Sequence, residues 1–165
     1  MGPEHVVLLM TLLNQRKGNM NVVCFKSQFE EIERKINDHG IDVILKKGEE
    51  DRWDPTARIV FIDRSYTWEK RYYILLHELG HVLISKTLNK FNEDYPMYAN
   101  SIDNRRTRSK AYRVSLIAEE LEAWKRGRKM GKKIGHFIDD VKYDKLISDN
   151  VMSYIEWAAE GGGDY

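Results

Sequence analysis

Ile74-Leu75-Leu76-His77-Glu78-Leu79-Gly80-His81-Val82-Leu83 decides the reading of this chain. Ile74, Leu75, Leu79, Val82 and Leu83 form a broad apolar face, so the stretch is predicted to lie inside a helix that begins between Ser65 and Trp68. Two His at i and i+4 stand one helical turn apart on the same side, where both imidazoles can reach one Zn²⁺. Glu78 sits beside them, placed to take a proton from a metal-bound water. Gly80 costs a helix about 1 kcal/mol relative to Ala, and one use for that cost is room for a neighbouring element. With only five His in 165 residues, a chance pair around a Glu on an apolar-periodic helix is rare.

A hydrolytic zinc site needs three protein ligands and an open position. His5, His39 and His136 fall in a terminal segment, at a helix end and between helices, and make poor candidates. Glu119-Glu120-Leu121-Glu122-Ala123-Trp124, on a helix expected over about 108–130, is the better source. At about 100° per residue, Glu120 falls inside the arc marked by Trp124, Ile117, Leu121 and Val114 on one side and Leu116 and Ala123 on the other. Glu119 and Glu122 fall on its margin or outside, where solvent is expected. A carboxylate aimed at a core is costly unless paired or metal-bound. Periodicity therefore ranks Glu120 as third ligand, with pairing to Arg113 as the competing use. Rotating the helix by one position would favour Glu119 or Glu122.

Around these helices, Phe25 to Asn37 carries Phe25, Phe29, Ile32 and Ile36 at spacings of three and four and predicts an amphipathic helix stopped by Gly40. Ile41 to Leu45 and Arg58 to Ile62 are β-branched runs that predict strands, with a turn over Lys47 to Asp51. Residues 87–107, with Pro96 and an Arg cluster, read as a long connection, and a last helix is expected over about 139–159. The expected fold is α+β and zincin-like: several helices packed on a small sheet, the His pair on a central helix. One domain is expected over 1–165, with a core of about 25–135 and a C-terminal helical extension of about 136–160.

Composition narrows the function. Lys and Arg number 27 against 26 Asp and Glu, a net +1, which argues against a nucleic-acid coat or a strongly basic membrane binder. At 42% apolar and 32% charged, the chain is neither disordered nor membrane-embedded. Val6 to Leu13 is apolar but lacks a basic flank and a cleavage site, and falls far short of the ~20 residues a spanning helix needs; a core helix or strand is expected. Cys24 is the only cysteine, which excludes a disulfide framework and fits a reducing cytoplasmic setting. Residues 101–145 hold 13 Lys and Arg against 7 Asp and Glu. A solvated face is the plain account of that excess, and an acidic substrate segment or a nucleic-acid-bound partner is the alternative.

From about Phe25 to Gly135 the chain resembles the ImmA/IrrE-type zinc metallopeptidases. The resemblance rests on a helix and Gly40 before Ile41-Asp42-Val43, a strand ending in Ile62-Asp63, the His77-Glu78-Leu79-Gly80-His81 helix, and Glu120 three residues before the small Ala123. It implies Zn²⁺ held by His77, His81 and Glu120, with Glu78 as general base. It further implies an intracellular endopeptidase whose substrate is a specific protein, several relatives cutting a repressor to switch on phage, mobile-element or stress-response genes. Where the family often shows Asn-x-Phe-Ala, this chain reads Trp124-Lys125-Arg126-Gly127, and neither end shows the helix-turn-helix that some relatives carry. Any link to DNA is therefore expected through a partner, and no membrane association is expected. The competing reading is a zincin-fold interaction or regulatory protein, phage-encoded and with little or no hydrolysis, against which the intact Glu78 argues. Tyr72, Tyr73, Tyr95 and Tyr98 are the oxyanion donors within reach in sequence, and spacing favours none of them. Nor does spacing identify a partner for the second nitrogen of either His.

Overall fold

The computed structural model describes residues 25–96 and 109–160. The apolar run Val6–Leu13, Cys24, Tyr98 and the cluster Arg105–Arg108 lie outside the described residues. Contacts group the chain into two compact units, divided between Leu75 and Leu76.

In the first unit, helix α1 is described over 25–37. Phe25, Phe29, Ile32 and Ile36 are all buried, as the three-and-four spacing predicts, while Lys26–Glu30 and Glu31–Lys35 form exposed pairs at 3.6 Å on the other side. Gly40 ends the helix in a left-handed conformation with φ of +69°, its N–H donating to the Asn37 carbonyl at 2.8 Å, a backbone shape that costs glycine nothing. Arg58 Nε donates to the Gly40 carbonyl at 2.9 Å, tying down the chain just past the helix end.

Strand β1 covers Asp42–Lys46, β2 Arg52–Asp54 and β3 Ile59–Asp63. The sheet order is β1-β3-β2. β1 runs parallel to β3, from Asp42 opposite Ile59 to Lys46 opposite Asp63. β2 runs antiparallel to β3, with Trp53 opposite Val60. β3 is central and alternates, Val60 and Ile62 being fully buried between half-buried neighbours, the period-two signature of one packed face. The third strand was not expected, because three residues show no alternation.

Helix α2, Trp68–Ser85, starts where the Thr67 hydroxyl accepts the Lys70 N–H at 3.3 Å. Its first turns pack on α1: Trp68 meets Phe29 edge-on at 5.6 Å, and Tyr72 and Tyr73 lie 6.0 and 5.8 Å from Phe25.

The second unit holds the rest of α2, α3 (Leu88–Asp94), α4 (Lys110–Lys133) and α5 (Asp140–Ala159). Helix α3 corrects the expected long connection over 87–107. It buries one aromatic, Phe91, against Ile84 and Ala123, with Tyr95 packed beside it, so its support is tertiary and leaves no helical period in the sequence. Ser109 caps α4 by accepting the Tyr112 N–H at 3.1 Å, and Asp139 caps α5 by accepting from Val141 and Lys142, in line with the preference of short polar residues for helix starts. Arg113, near the start of α4, donates to the Ala158 carbonyl near the end of α5, so the two helices form an antiparallel hairpin. The described chain is thus mostly helical with a small three-stranded sheet, the expected α+β class. No helix among the described residues is long and apolar enough to cross a membrane.

Candidate metal centre

Two glycines set the site. A Cβ at Gly80 of α2 would lie 2.0 Å from the Ala123 carbonyl oxygen of α4, and one at Gly127 of α4 would lie 2.0 Å from the Leu76 carbonyl oxygen of α2. The two helices therefore run antiparallel with their backbones touching at both contacts, an approach closed to any larger residue. This is the room that Gly80 was expected to provide. It brings the α4 residue one turn before Ala123 up to the His pair, and that residue is Glu120.

His77 Nε2 and His81 Nε2 stand 3.2 Å apart. Glu120 Oε2 is 3.4 Å from His77 Nε2, and its Oε1 is 3.5 Å from His81 Nε2. Donor atoms of His77, His81 and Glu120 all lie within 4.8 Å of one another, and among the described residues no other cluster of His, Cys, Asp and Glu groups in this way. Glu78 Oε1 is 3.9 Å from His77 Nε2. His77, Glu78 and Glu120 are buried, at 8%, 3% and 7% exposure. Two imidazole lone pairs and a carboxylate aimed at one point repel unless a cation stands among them, and two nitrogens plus one carboxylate is a donor set suited to Zn²⁺. The residues present fit that ion.

The electrostatics of the cluster point the same way. Burial alone would raise the Glu120 pKa, but hydrogen bonds and charge from His77 and His81 bring it down to about 2. Burial pulls the His81 imidazole down, yet Glu119, Glu120 and Glu78 outweigh it and hold its pKa well above the ordinary value. A proton on the His81 imidazole supplies positive charge beside the Glu120 carboxylate.

Two further residues orient the ligand candidates. Glu119 Oε1 lies 3.1 Å from His81 Nδ1; a proton held there leaves Nε2 with its lone pair toward Glu120. Glu119 was expected in solvent, but its side chain is only 14% exposed. Its place on the margin of the apolar arc was the one signal of this role. Trp124, fully buried, stacks on the His77 ring at 4.1 Å with planes 18° apart. Tyr143 of α5 braces the indole edge-on at 5.3 Å and donates from its hydroxyl to the Trp124 carbonyl at 3.1 Å. Periodicity had marked Trp124 only as an apolar neighbour of Glu120.

The competing candidates go elsewhere. Glu122 turns to Arg126 at 2.8 Å, and Arg126 reaches on to the Leu83 carbonyl and the Thr87 hydroxyl. Arg113 donates to Ala158 rather than to Glu120. His39 is exposed, and His136 lies outside the cluster. Tyr72 and Tyr73 are buried against Phe25, and Tyr95 packs on Phe91.

Residues 36–138 match the model of the Peptidase_M78 family, described as the IrrE N-terminal-like domain. No curated protein and no solved structure matches the chain significantly. The matched span runs from the end of α1 through both helices of the His and Glu cluster and covers well over half of the chain, so the protein belongs to the ImmA/IrrE family of metallopeptidases.

Proposed function

We propose that this chain is a cytoplasmic zinc-dependent endopeptidase, acting as one metallopeptidase domain, that cuts a peptide bond in a specific intracellular protein. His77, His81 and Glu120 hold the ion and Glu78 is the general base. The observation that carries the reading is the convergence of two imidazole nitrogens and a buried carboxylate within 4.8 Å, with the Glu78 carboxylate beside His77. Family membership supports a peptidase. A structural zinc site would have no use for a buried Glu next to its ligands.

Zinc bound there would supply Lewis acidity, polarising a peptide carbonyl and lowering the pKa of water. Glu78 takes the proton from the attacking water and hands it to the leaving amine. Glu119 holds the proton on His81 Nδ1, and Trp124 fixes the plane of the His77 ring, so both imidazoles keep Nε2 toward Glu120. A transcriptional repressor of a phage or mobile element is the substrate class that the family resemblance offers.

Zinc per chain, measured by elemental mass spectrometry on wild type, Glu120→Ala and Glu78→Gln, tests the site. One zinc is expected in wild type and in Glu78→Gln, and a reduced content in Glu120→Ala. Extracts treated with wild type or Glu78→Gln and searched for new protein N-termini then test hydrolysis. New termini are expected with wild type alone. A zinc-free wild type after reconstitution at neutral pH overturns the reading, as does a set of termini common to both proteins.

A further inference from the structure

On a different face of α4 from Glu120, the α4–α5 hairpin holds a groove of about 510 Å³. Leu121, 37% exposed, and Ile147 supply its apolar surface, while Lys125, Arg128, Lys129 and Lys132 line it with positive charge. The single acid in the lining, Asp144, is already engaged by Arg128, and Asp140 takes Lys132 at 2.8 Å and approaches Arg128 at 3.8 Å. Among the described residues neither Lys125 nor Lys129 has an ion-pair partner, and both are exposed. The local excess of positive charge therefore rests on two lysines one helical turn apart, next to an uncovered leucine. Lys145 of α5, by contrast, pairs with Asp149 at 2.7 Å.

We infer that this groove docks an acidic amphipathic segment of a partner protein, its apolar side chains on Leu121 and Ile147 and its carboxylates on Lys125 and Lys129. Charge complementarity selects the occupant. The cations from Lys125 to Lys132 extend over about 10 Å at 1.5 Å per residue, a line of charge that suits an elongated partner better than one phosphate. The apolar surface between them and the absence of an aromatic from the lining favour a helix in a groove over a nucleic-acid strand, which would seek stacking platforms. A second copy of this chain would have to present a free acidic stripe, and on α5 Asp140 and Asp144 are already taken by Lys132 and Arg128. The docking stands apart from the peptidase reading, since it needs neither zinc nor Glu78. If both hold, the groove is a recognition site away from the cleavage site.

The test is fluorescence anisotropy on the full chain carrying Glu78→Gln, so that nothing is cut. The probes are a labelled helical peptide of Glu and Leu, about 15 residues or four turns long, a matched Lys and Leu peptide, and a duplex DNA of similar length. The Glu–Leu peptide is expected to bind saturably, about tenfold or more weaker after Lys125→Glu/Lys129→Glu and about threefold weaker after Leu121→Ser, with affinity falling as salt rises. Zinc content and thermal melting of the double variant are expected to match the parent, which separates lost docking from lost folding. Equal affinity for parent and double variant overturns the inference. So does preference for the Lys–Leu peptide, tighter binding of DNA than of peptide, self-association that the double variant abolishes, or no saturable binding up to about 1 mM.

Discussion

Each of the two compact units contains a carboxylate withdrawn from solvent, Asp51 half-buried and Glu120 buried, and the two are satisfied in opposite ways. Asp51, in the turn before β2, accepts the Asp63 N–H at 2.8 Å and a hydrogen bond from the Tyr66 hydroxyl. Burial raises its pKa, and those donors only partly offset the effect. Tyr66 itself is pushed up to about 12 by burial and by the Asp51 charge, so it stays a donor at any ordinary pH. Glu120 faces two imidazole nitrogens instead, which donate to it only when they carry the proton. Asp51 is a corner brace completed by its own chain, and Glu120 is part of a donor set suited to a cation. Burial of an acid is thus a poor guide to chemistry; the guide is whether its neighbours are donors or lone pairs.

The largest expected effect breaks or keeps this contrast directly. Glu120→Ala is expected to weaken zinc binding by more than about 100-fold, beyond the usual effect of an outer hydrogen-bond partner, as read by competition with a chromophoric chelator. Asp51→Asn should leave zinc affinity unchanged. If the two variants behave alike, the distinction fails.

Next in size is the helix contact that makes the Glu120 setting possible. Gly127→Ala places a methyl against the Leu76 carbonyl and should destabilise the fold by about 2 kcal/mol, the overpacking cost less the helix propensity gained. Urea unfolding measures it, and a variant as stable as wild type would show that α2 and α4 need not touch there. Glu119→Gln is a smaller change. It keeps an acceptor for His81 Nδ1 but removes the charge, and about tenfold weaker zinc binding with Glu78-dependent chemistry retained is expected.

These variants also mark where sequence stops being informative. α1 with its Gly40 stop, β1, β3, α2, α4 and α5 were legible because each repeats an apolar period long enough to see. β2 has three residues, and α3 rests on Phe91 reaching Ile84 and Ala123, so neither has a period of its own. His77 and His81 follow from one-turn spacing, and Glu120 from its place in an apolar arc. Glu119 and Trp124 were not legible as orienting groups. Their roles depend on how closely α4 approaches α2, and that distance is set by Gly80 meeting Ala123 and Gly127 meeting Leu76, a pairing between residues more than forty apart in the chain. The departure at Trp124-Lys125-Arg126-Gly127 gains a meaning from the same contact: Gly127 admits the Leu76 backbone while the bulky Trp124 stacks on His77.

The pH dependence separates the two acids without mutation. In metal-free protein the raised His81 pKa contributes stability that is fully present below the unfolded value of about 6.5 and is lost as pH rises through the folded one. Zinc must displace the His81 proton, so its affinity rises over the same range. The gain in melting temperature on adding zinc is therefore expected to widen between about pH 6 and pH 8. A gain that stays constant would mean that no imidazole proton is displaced.

The smallest expected effect concerns Asp51, whose carboxyl is raised from 3.8. The folded state then holds its proton more tightly than the unfolded state. Stability falls as pH rises from the unfolded value through the folded one, and above both the charge is kept at a cost. Asn removes that cost while its oxygen still accepts the Asp63 N–H, and its amide can donate to the Tyr66 hydroxyl in place of accepting from it. Asp51→Asn is therefore expected to lie within about 1 kcal/mol of wild type at pH 7 and to lose ground to wild type as the pH is lowered into the range where Asp51 is protonated. Urea unfolding at neutral and acid pH reads both numbers. The sign of the drift is decisive: a variant that gains on wild type at low pH would mean that Asp51, like Glu120, is held ionised by a positive partner, and the two acids would no longer differ in kind.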